Sequence, residues 1–324
     1  MRRSLTALAL AGLAGSFLTA ATARGADDDF CKDGDGCCQR KASKPALRLG
    51  AVAYAPGSVT VFEGLRRYLG KRGLEVDYVL YSNYDALVDA LLRKQVDVAW
   101  NTPLAHAQFH RKAGNASKTL VMRDVDCDVR SALVVRDDSG VRSLDGLKGK
   151  TLIMGSRDAA ESTVLPAYYL RQAGLDLGSG AVKVHSLDGE VDLRGNPCSS
   201  ESHVLKALKD GKGQAGIIGE RMWNDLAKNH PDQASGLTCL WITPAFSHCV
   251  FTAAKDFDPA LAARFTELML AMDPADEAAA EPMRLEGTRK WVAGSPDGFK
   301  DLLKALDSDG NAASPAAPAA ADRR

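Results

Sequence analysis

The side chains most able to bind metal or do redox chemistry in this 324-residue chain are a histidine pair, His106 and His110, and seven cysteines. A spacing of four puts both imidazoles on one face of a helix and offers two ligands to a metal. Two ligands do not make a site. No glutamate stands between the histidines and no third ligand is evident, so a solvated helix face is the expectation. Cys31, Cys37 and Cys38 lie in an acidic, glycine-rich stretch whose spacing fits neither a Cys-x-x-Cys pair nor a calcium loop. A solvated tether with a local disulfide is expected there. Gly211-Lys212-Gly213-Gln214-Ala215-Gly216 spells a dinucleotide fingerprint, but it precedes an apolar run, and the phosphate cradle requires strand, turn, then helix. With no nucleophile elbow, no complete zinc motif and no catalytic carboxylate pair, neither catalysis nor a cofactor or metal is expected.

The remaining polar candidates sit at the ends of apolar runs. Asn101 and Thr102 follow Val96 to Trp100 and can exchange hydrogen bonds with a ligand, while Pro103 suits the first turn of a helix. Tyr54, with Ser58 just after it, and Tyr84 stand at similar turns, where an aromatic face clamps a ligand or packs one lobe on another. Open α/β sheets bind ligands at the carboxyl ends of their strands.

Those ends imply the elements that carry them. Short apolar runs alternate with amphipathic segments from Leu47 onward, the pattern of βα units in a mostly parallel sheet. The spacing predicts strands at Leu47 to Ala53, Glu75 to Leu80, Val96 to Trp100, Lys118 to Met122, Ser131 to Arg136, Thr151 to Met154, Val182 to His185, Gln214 to Ile218, Leu237 to Ile242 and Cys249 to Ala253. Cys239 and Cys249 flank a strand, turn and strand and are the expected disulfide of the folded body. An odd number of cysteines leaves one thiol over or pairs it between molecules.

Met1 to Ala23 carries Arg2-Arg3, an apolar run from Leu5 to Leu18 and Ala21-Thr22-Ala23, the form of a cleaved secretory signal, with an uncleaved anchor as the alternative. Residues 24–45 form the cysteine-bearing extension, and the tail from 307 to 324, rich in Ala, Pro, Asp and Arg, is expected to be disordered. The 41 basic and 41 acidic residues balance, so no global field favours nucleic acid or an anionic membrane.

The order and spacing of Tyr84-Asp85-Ala86-Leu87-Val88, Val96-Asp97-Val98-Ala99-Trp100-Asn101-Thr102-Pro103 and Ser139 to Thr151 resemble the phosphonate-binding, PhnD-like periplasmic solute-binding proteins of ABC transporters. The resemblance covers about residues 46 to 270. It implies an α/β, two-lobed type II periplasmic-binding-protein fold whose lobes close by hinge motion on a small polar or anionic solute, phosphonate- or phosphate-like by default. Lobe 1 would comprise residues 46–132 and 238–306, and lobe 2 residues 133–237. The implied partner is a membrane permease, the implied address periplasmic and the implied state monomeric; a sensor on the same fold, or a metal- or metal-chelate-binding protein, is the alternative. The family's Ser-Thr-Ser-Gly run at a helix start, which holds the phosphonate, falls on Ala159-Ala160-Glu161-Ser162, counted back from Pro166. Either Ser162 and Thr163 supply the hydroxyls in a shifted register, or the ligand is not a phosphonate. Glu161 would repel a dianion if it faces the pocket, and would be a dipole-stabilised surface residue if it faces water. The resemblance also brings His203 to a cleft position, with a helix-capping role as the alternative, and Glu220 to the second lobe's side of the cleft.

Overall fold

The computed structural model describes residues 47–188 and 201–309. The expected signal, the extension with Cys31, Cys37 and Cys38, residues 189–200 and the chain beyond 309 lie outside the described residues.

Among the described residues, twelve strands and ten α-helices follow in order: β1 Leu47–Val52, α1 Ser58–Gly70, β2 Val76–Tyr81, α2 Tyr84–Leu92, β3 Val98–Asn101, α3 Pro103–Lys112, β4 Ser117–Thr119, β5 Val121–Arg123, β6 Ser131–Arg136, β7 Thr151–Met154, α4 Leu165–Gln172, β8 Lys183–Ser186, α5 Glu201–Lys209, β9 Ala215–Gly219, α6 Glu220–Asn229, α7 Pro231–Ala234, β10 Leu237–Ile242, β11 Val250–Ala254, α8 Pro259–Leu270, α9 Glu277–Leu285, β12 Trp291–Ala293 and α10 Lys300–Asp309. The expected run Lys118 to Met122 divides at Leu120, giving β4 to one sheet and β5 to a separate pair with β12.

One five-stranded sheet has the order β2-β1-β3-β11-β4, parallel across β1, β2 and β3, with β11 antiparallel to β3 and β4. The second has the order β10-β6-β9-β7-β8, in which β6 runs antiparallel to β9 and β10. Both faces of each sheet are covered. α1 brings Val61, Phe62, Leu65, Tyr68 and Leu69 to one face of the first sheet, and α2 brings Leu87, Val88 and Leu91 to the other. These residues recur at the helical period, so their burial forms a continuous apolar stripe.

The chain crosses between sheets twice, after β5 and after β10. The crossings run side by side: Val129 and Phe246 exchange backbone N–H···O bonds of 2.9 Å, and the His248 N–H donates to the Asp126 carbonyl at 2.8 Å. The family resemblance implies a return at residue 238, but β10 pairs with β6 in the second sheet, and the chain passes to the first sheet at residues 243–249. The return segment is held closely by the C-terminal region. The Gly298 carbonyl accepts from Ser247 N–H at 2.9 Å, and a Cβ on Gly298 would lie 1.9 Å from Ser247 Oγ, so only glycine fits there.

Three expectations are corrected. Cys239 and Cys249 are free thiols, since Cys239 lies on β10 in the core of the second sheet and Cys249 precedes β11 in the core of the first. The last helix continues through Asp307 to Asp309, because Leu302 and Ala305 are buried and Leu303 and Leu306 pack beside α3 and α4. His106 does not lie on a solvated face: it is 2 % exposed, packs its ring against Phe299 and shares a 2.9 Å hydrogen bond with Thr252 Oγ1. Burial, then the neighbouring His110, pushes His106 down to about 3, so it stays neutral.

Gly211-Lys212-Gly213 precedes β9, as its order implies. A Cβ on Gly213 would meet Ile153 Cγ1 at 2.7 Å and the Thr151 carbonyl at 3.0 Å, so this glycine serves close packing on β7.

Candidate functional site

A cleft of about 1150 Å³ opens where strand ends and helix starts of both sheets converge. The first lobe supplies Tyr84, Thr102, Pro103 and Gln108, and the second Ser156, Asp158 to Ser162, Glu201 and Ser202. Thr102 caps α3, its Oγ1 accepting from Ala105 N–H at 3.3 Å. Residues Ala160–Val164 make a π-helical turn before α4, a departure from regular helix often found at functional sites.

Glu161 faces the cleft. Ser131 Oγ donates to its backbone carbonyl at 2.5 Å, fixing the turn from the buried β6 strand. Burial and then the carboxylate of Glu201 push Glu161 up to about 7, and burial raises Glu201 as well. The Oε1 atoms of both flank Gly219, each 2.6 Å from where a Cβ would stand, and the Gly219 N–H donates to Glu201 Oε1 at 2.6 Å. Glu161 therefore carries stability that is fully present below the ordinary carboxylate range and is lost as pH rises through about 7. Glu161→Gln is expected to flatten the fall in urea stability between about pH 5 and about pH 8; an unchanged slope would show that the pair is solvated.

Beside the cleft lies a buried charged cluster that sequence reasoning missed. Arg123 grips Asp126 with Nε–Oδ2 at 2.5 Å and Nη2–Oδ1 at 2.9 Å, and donates to the Glu286 carboxylate at 3.0 Å and carbonyl at 2.9 Å. The Asp126 and Glu286 side chains are each 3 % exposed. Burial favours the neutral acid at Asp126, but hydrogen bonds from His248 and Arg123 outweigh it and hold the carboxyl below its ordinary range. Burial likewise opposes the charge on His248, yet Cys249 and Asp126 outweigh it and hold the imidazole well above its ordinary range. His248 lines both the cleft and an adjoining cavity of about 240 Å³ with Arg123, Asp126, Glu161, Glu201 and Arg221.

The sequence-derived candidates divide. Tyr84, Thr102, Glu161 and Ser162 line the cleft. Tyr54 is half-exposed and donates its hydroxyl to Glu286, and Ser58 is buried at the start of α1, its Oγ accepting from Ala55 N–H at 3.1 Å. Thr163 turns Oγ1 into the interior, without a hydrogen-bond partner among the described residues. His203 lies on α5 one residue past the cleft-lining Ser202, and Glu220 begins α6, its N–H donating to the Arg130 carbonyl at 2.8 Å. Arg157 pairs with Asp188 at 3.5 Å.

Asn101 is fully buried, behind rather than in the cleft, and neither Oδ1 nor Nδ2 has a partner among the described residues. An unpaired buried polar group costs about 1–3 kcal/mol, so Asn101→Leu is expected to stabilise the unliganded protein by that order. A loss of urea stability in this variant would contradict the unpaired state.

The profile of the family described as "ABC transporter, phosphonate, periplasmic substrate-binding protein" matches residues 52–297. The chain belongs to this family. A probable ABC transporter phosphite-binding protein, PhnD1 of Prochlorococcus marinus (strain MIT 9301), is 23% identical over 239 residues, spanning 71% of this chain and 77% of the relative. The structure of PhnD1 with methylphosphonate superposes with a TM-score of 0.59 at 21% identity, covering 82% of this chain and 98% of that one. XAC2383 of Xanthomonas citri, solved with ATP, gives a TM-score of 0.65 at 17% identity over 84% of this chain and 100% of that one. The two-lobed type II periplasmic-binding fold is thereby shown, in a family whose members bind solutes for ABC importers.

Proposed function

We propose that this chain, exported by its first 23 residues and released into the periplasm, captures a small polar solute by clamshell closure, hands it unchanged to an ABC permease and acts as a monomer. The supporting observation is the open cleft, lined from both lobes and bounded by the paired crossing strands, which form a natural hinge. Tyr84, Thr102, Glu161 and Ser162 touch the solute. Tyr54, Ser58, Asn101, Thr163, His203 and Glu220 shape the turns behind them.

Glu161 and Glu201 repel a bare phosphonate dianion in a poorly solvated pocket and favour a solute that presents positive charge to them. A thermal-shift screen of the chain lacking its first 23 residues tests this, since a ligand at 100 times its Kd adds about 2.7 kcal/mol. Solutes combining positive charge with an anionic group should raise Tm more than phosphate or simple phosphonates do. A shift with phosphate alone would show that the carboxylates do not select, and no shift with any small solute would overturn the capture reading.

A further inference from the structure

Asp126, His248 and Cys249 bring together an oxygen, a nitrogen and a sulfur donor, all within 4.8 Å of one another. His248 Nδ1 is 3.2 Å from Asp126 Oδ1 and 3.2 Å from Cys249 Sγ. A tetrahedral ion with bonds of about 2.0–2.3 Å holds its donors roughly 3.3–3.7 Å apart, so these contacts already approach coordinating distance. Resting on the solute-capture reading, we infer that this cluster is a binding site for a divalent transition-metal ion of the zinc class, reached from the cavity that Glu161 and Glu201 also line.

The donor set selects the ion. Thiolate and imidazole suit zinc and its borderline neighbours, whereas calcium and magnesium take oxygen ligands. On binding, the thiol proton and the proton on His248 Nδ1 leave to solvent. Three protein donors leave a fourth position open, and the adjoining cavity carries Glu161 and Glu201 on its wall. Arg123 already orients Asp126 through two hydrogen bonds, the outer-shell arrangement that ligating carboxylates commonly have.

The donors also lie on both crossings: Asp126 on the outbound segment, His248 and Cys249 on the return, with the His248 N–H bonded to the Asp126 carbonyl at 2.8 Å. An ion shared by the two segments therefore binds at the hinge itself.

The test adds Co²⁺ to metal-free protein, full length after removal of the first 23 residues, under reducing conditions. One ion per chain with a thiolate-to-cobalt charge-transfer band, displaced by Zn²⁺, is expected. Cys249→Ser should abolish the band and weaken Zn²⁺ binding by more than about 100-fold, beyond the loss an outer-shell change gives, while Cys239→Ser keeps both. A second variant, with Cys31, Cys37, Cys38, Cys127, Cys198 and Cys239 all changed to Ser so that Cys249 is the one thiol left, should keep the band. It decides the matter even if Cys249→Ser fails to fold. No band in the wild type, a band persisting in folded Cys249→Ser, or its loss in the six-cysteine variant would overturn the inference. A solute-induced Tm shift in protein that gives no band on addition of Co²⁺ would overturn the metal site and leave the capture reading intact. The band without any solute shift would do the reverse.

Discussion

Replacing Arg123 by alanine is expected to destabilise the protein by about 3–5 kcal/mol, the cost of stranding the buried Glu286 carboxylate and leaving Asp126 with His248 as its remaining charged partner. Arg123 lies between Asp126 and Glu286, whose side chains are 3 % exposed, and stands 5.4 Å over the Trp100 ring. Burial favours the neutral acid at Glu286 despite Tyr54 and Arg123, so that carboxyl is held above its ordinary range, while Asp126 is held below. The two acids respond to pH in opposite senses. The contribution of Asp126 is present above the ordinary carboxylate range and is lost as pH falls through its depressed value. In the variant both acids can take up protons, so its deficit against wild type should shrink on acidification. Urea unfolding at neutral and acid pH measures both effects, and a deficit below about 1 kcal/mol at neutral pH would mean that water reaches the cluster.

Phe251→Ala is expected to cost about 3–5 kcal/mol, a fully buried aromatic being lost with little room for collapse. The ring is 1 % exposed and lies 4.7 Å from Trp100, 5.3 Å from Phe265 and 5.6 Å from Trp291, centroid to centroid. These rings join β3, β11, α8 and β12. Because β11 begins one residue after Cys249, the same substitution should loosen the return crossing and raise hydrogen exchange at His248 and Cys249. A midpoint within about 1 kcal/mol of wild type would show that the cluster repacks around the void.

Most elements were legible because their cause is local. Ser131 to Arg136, Thr151 to Met154 and Leu237 to Ile242 were placed to the residue, each a compact apolar run between polar turns. Asn83 and Thr102 announce α2 and α3 as side-chain caps. β12 was missed because Trp291–Ala293 is three residues long and gains its order from pairing with β5. Leu237 to Ile242 was found as a strand yet assigned to the wrong lobe, since a strand's own pattern does not say which sheet it joins.

The candidate site divides along the same line. Thr102, Tyr84, Glu161 and Ser162 stand at the ends and starts of elements, where local pattern reveals them. By contrast, Arg123 meets Glu286 across 163 positions, and Asp126 meets His248 across 122. Nothing in the flanks of these residues marks them. The sequence by itself determined a βα alternation and the turns that end its strands, because amphipathic period, helix caps and turn residues act within a few positions, while the two lobes and the solute-binding family came from the resemblance of its motifs to that family. Only the tertiary structure decided that Cys249 stands beside His248 and Asp126 rather than bonding Cys239, and that Glu161 faces Glu201. The first contact depends on how two distant crossings lie side by side, the second on where the turn before α4 and the start of α5 meet the end of β9, and burial, which sets their charge, exists only once the sheets have packed.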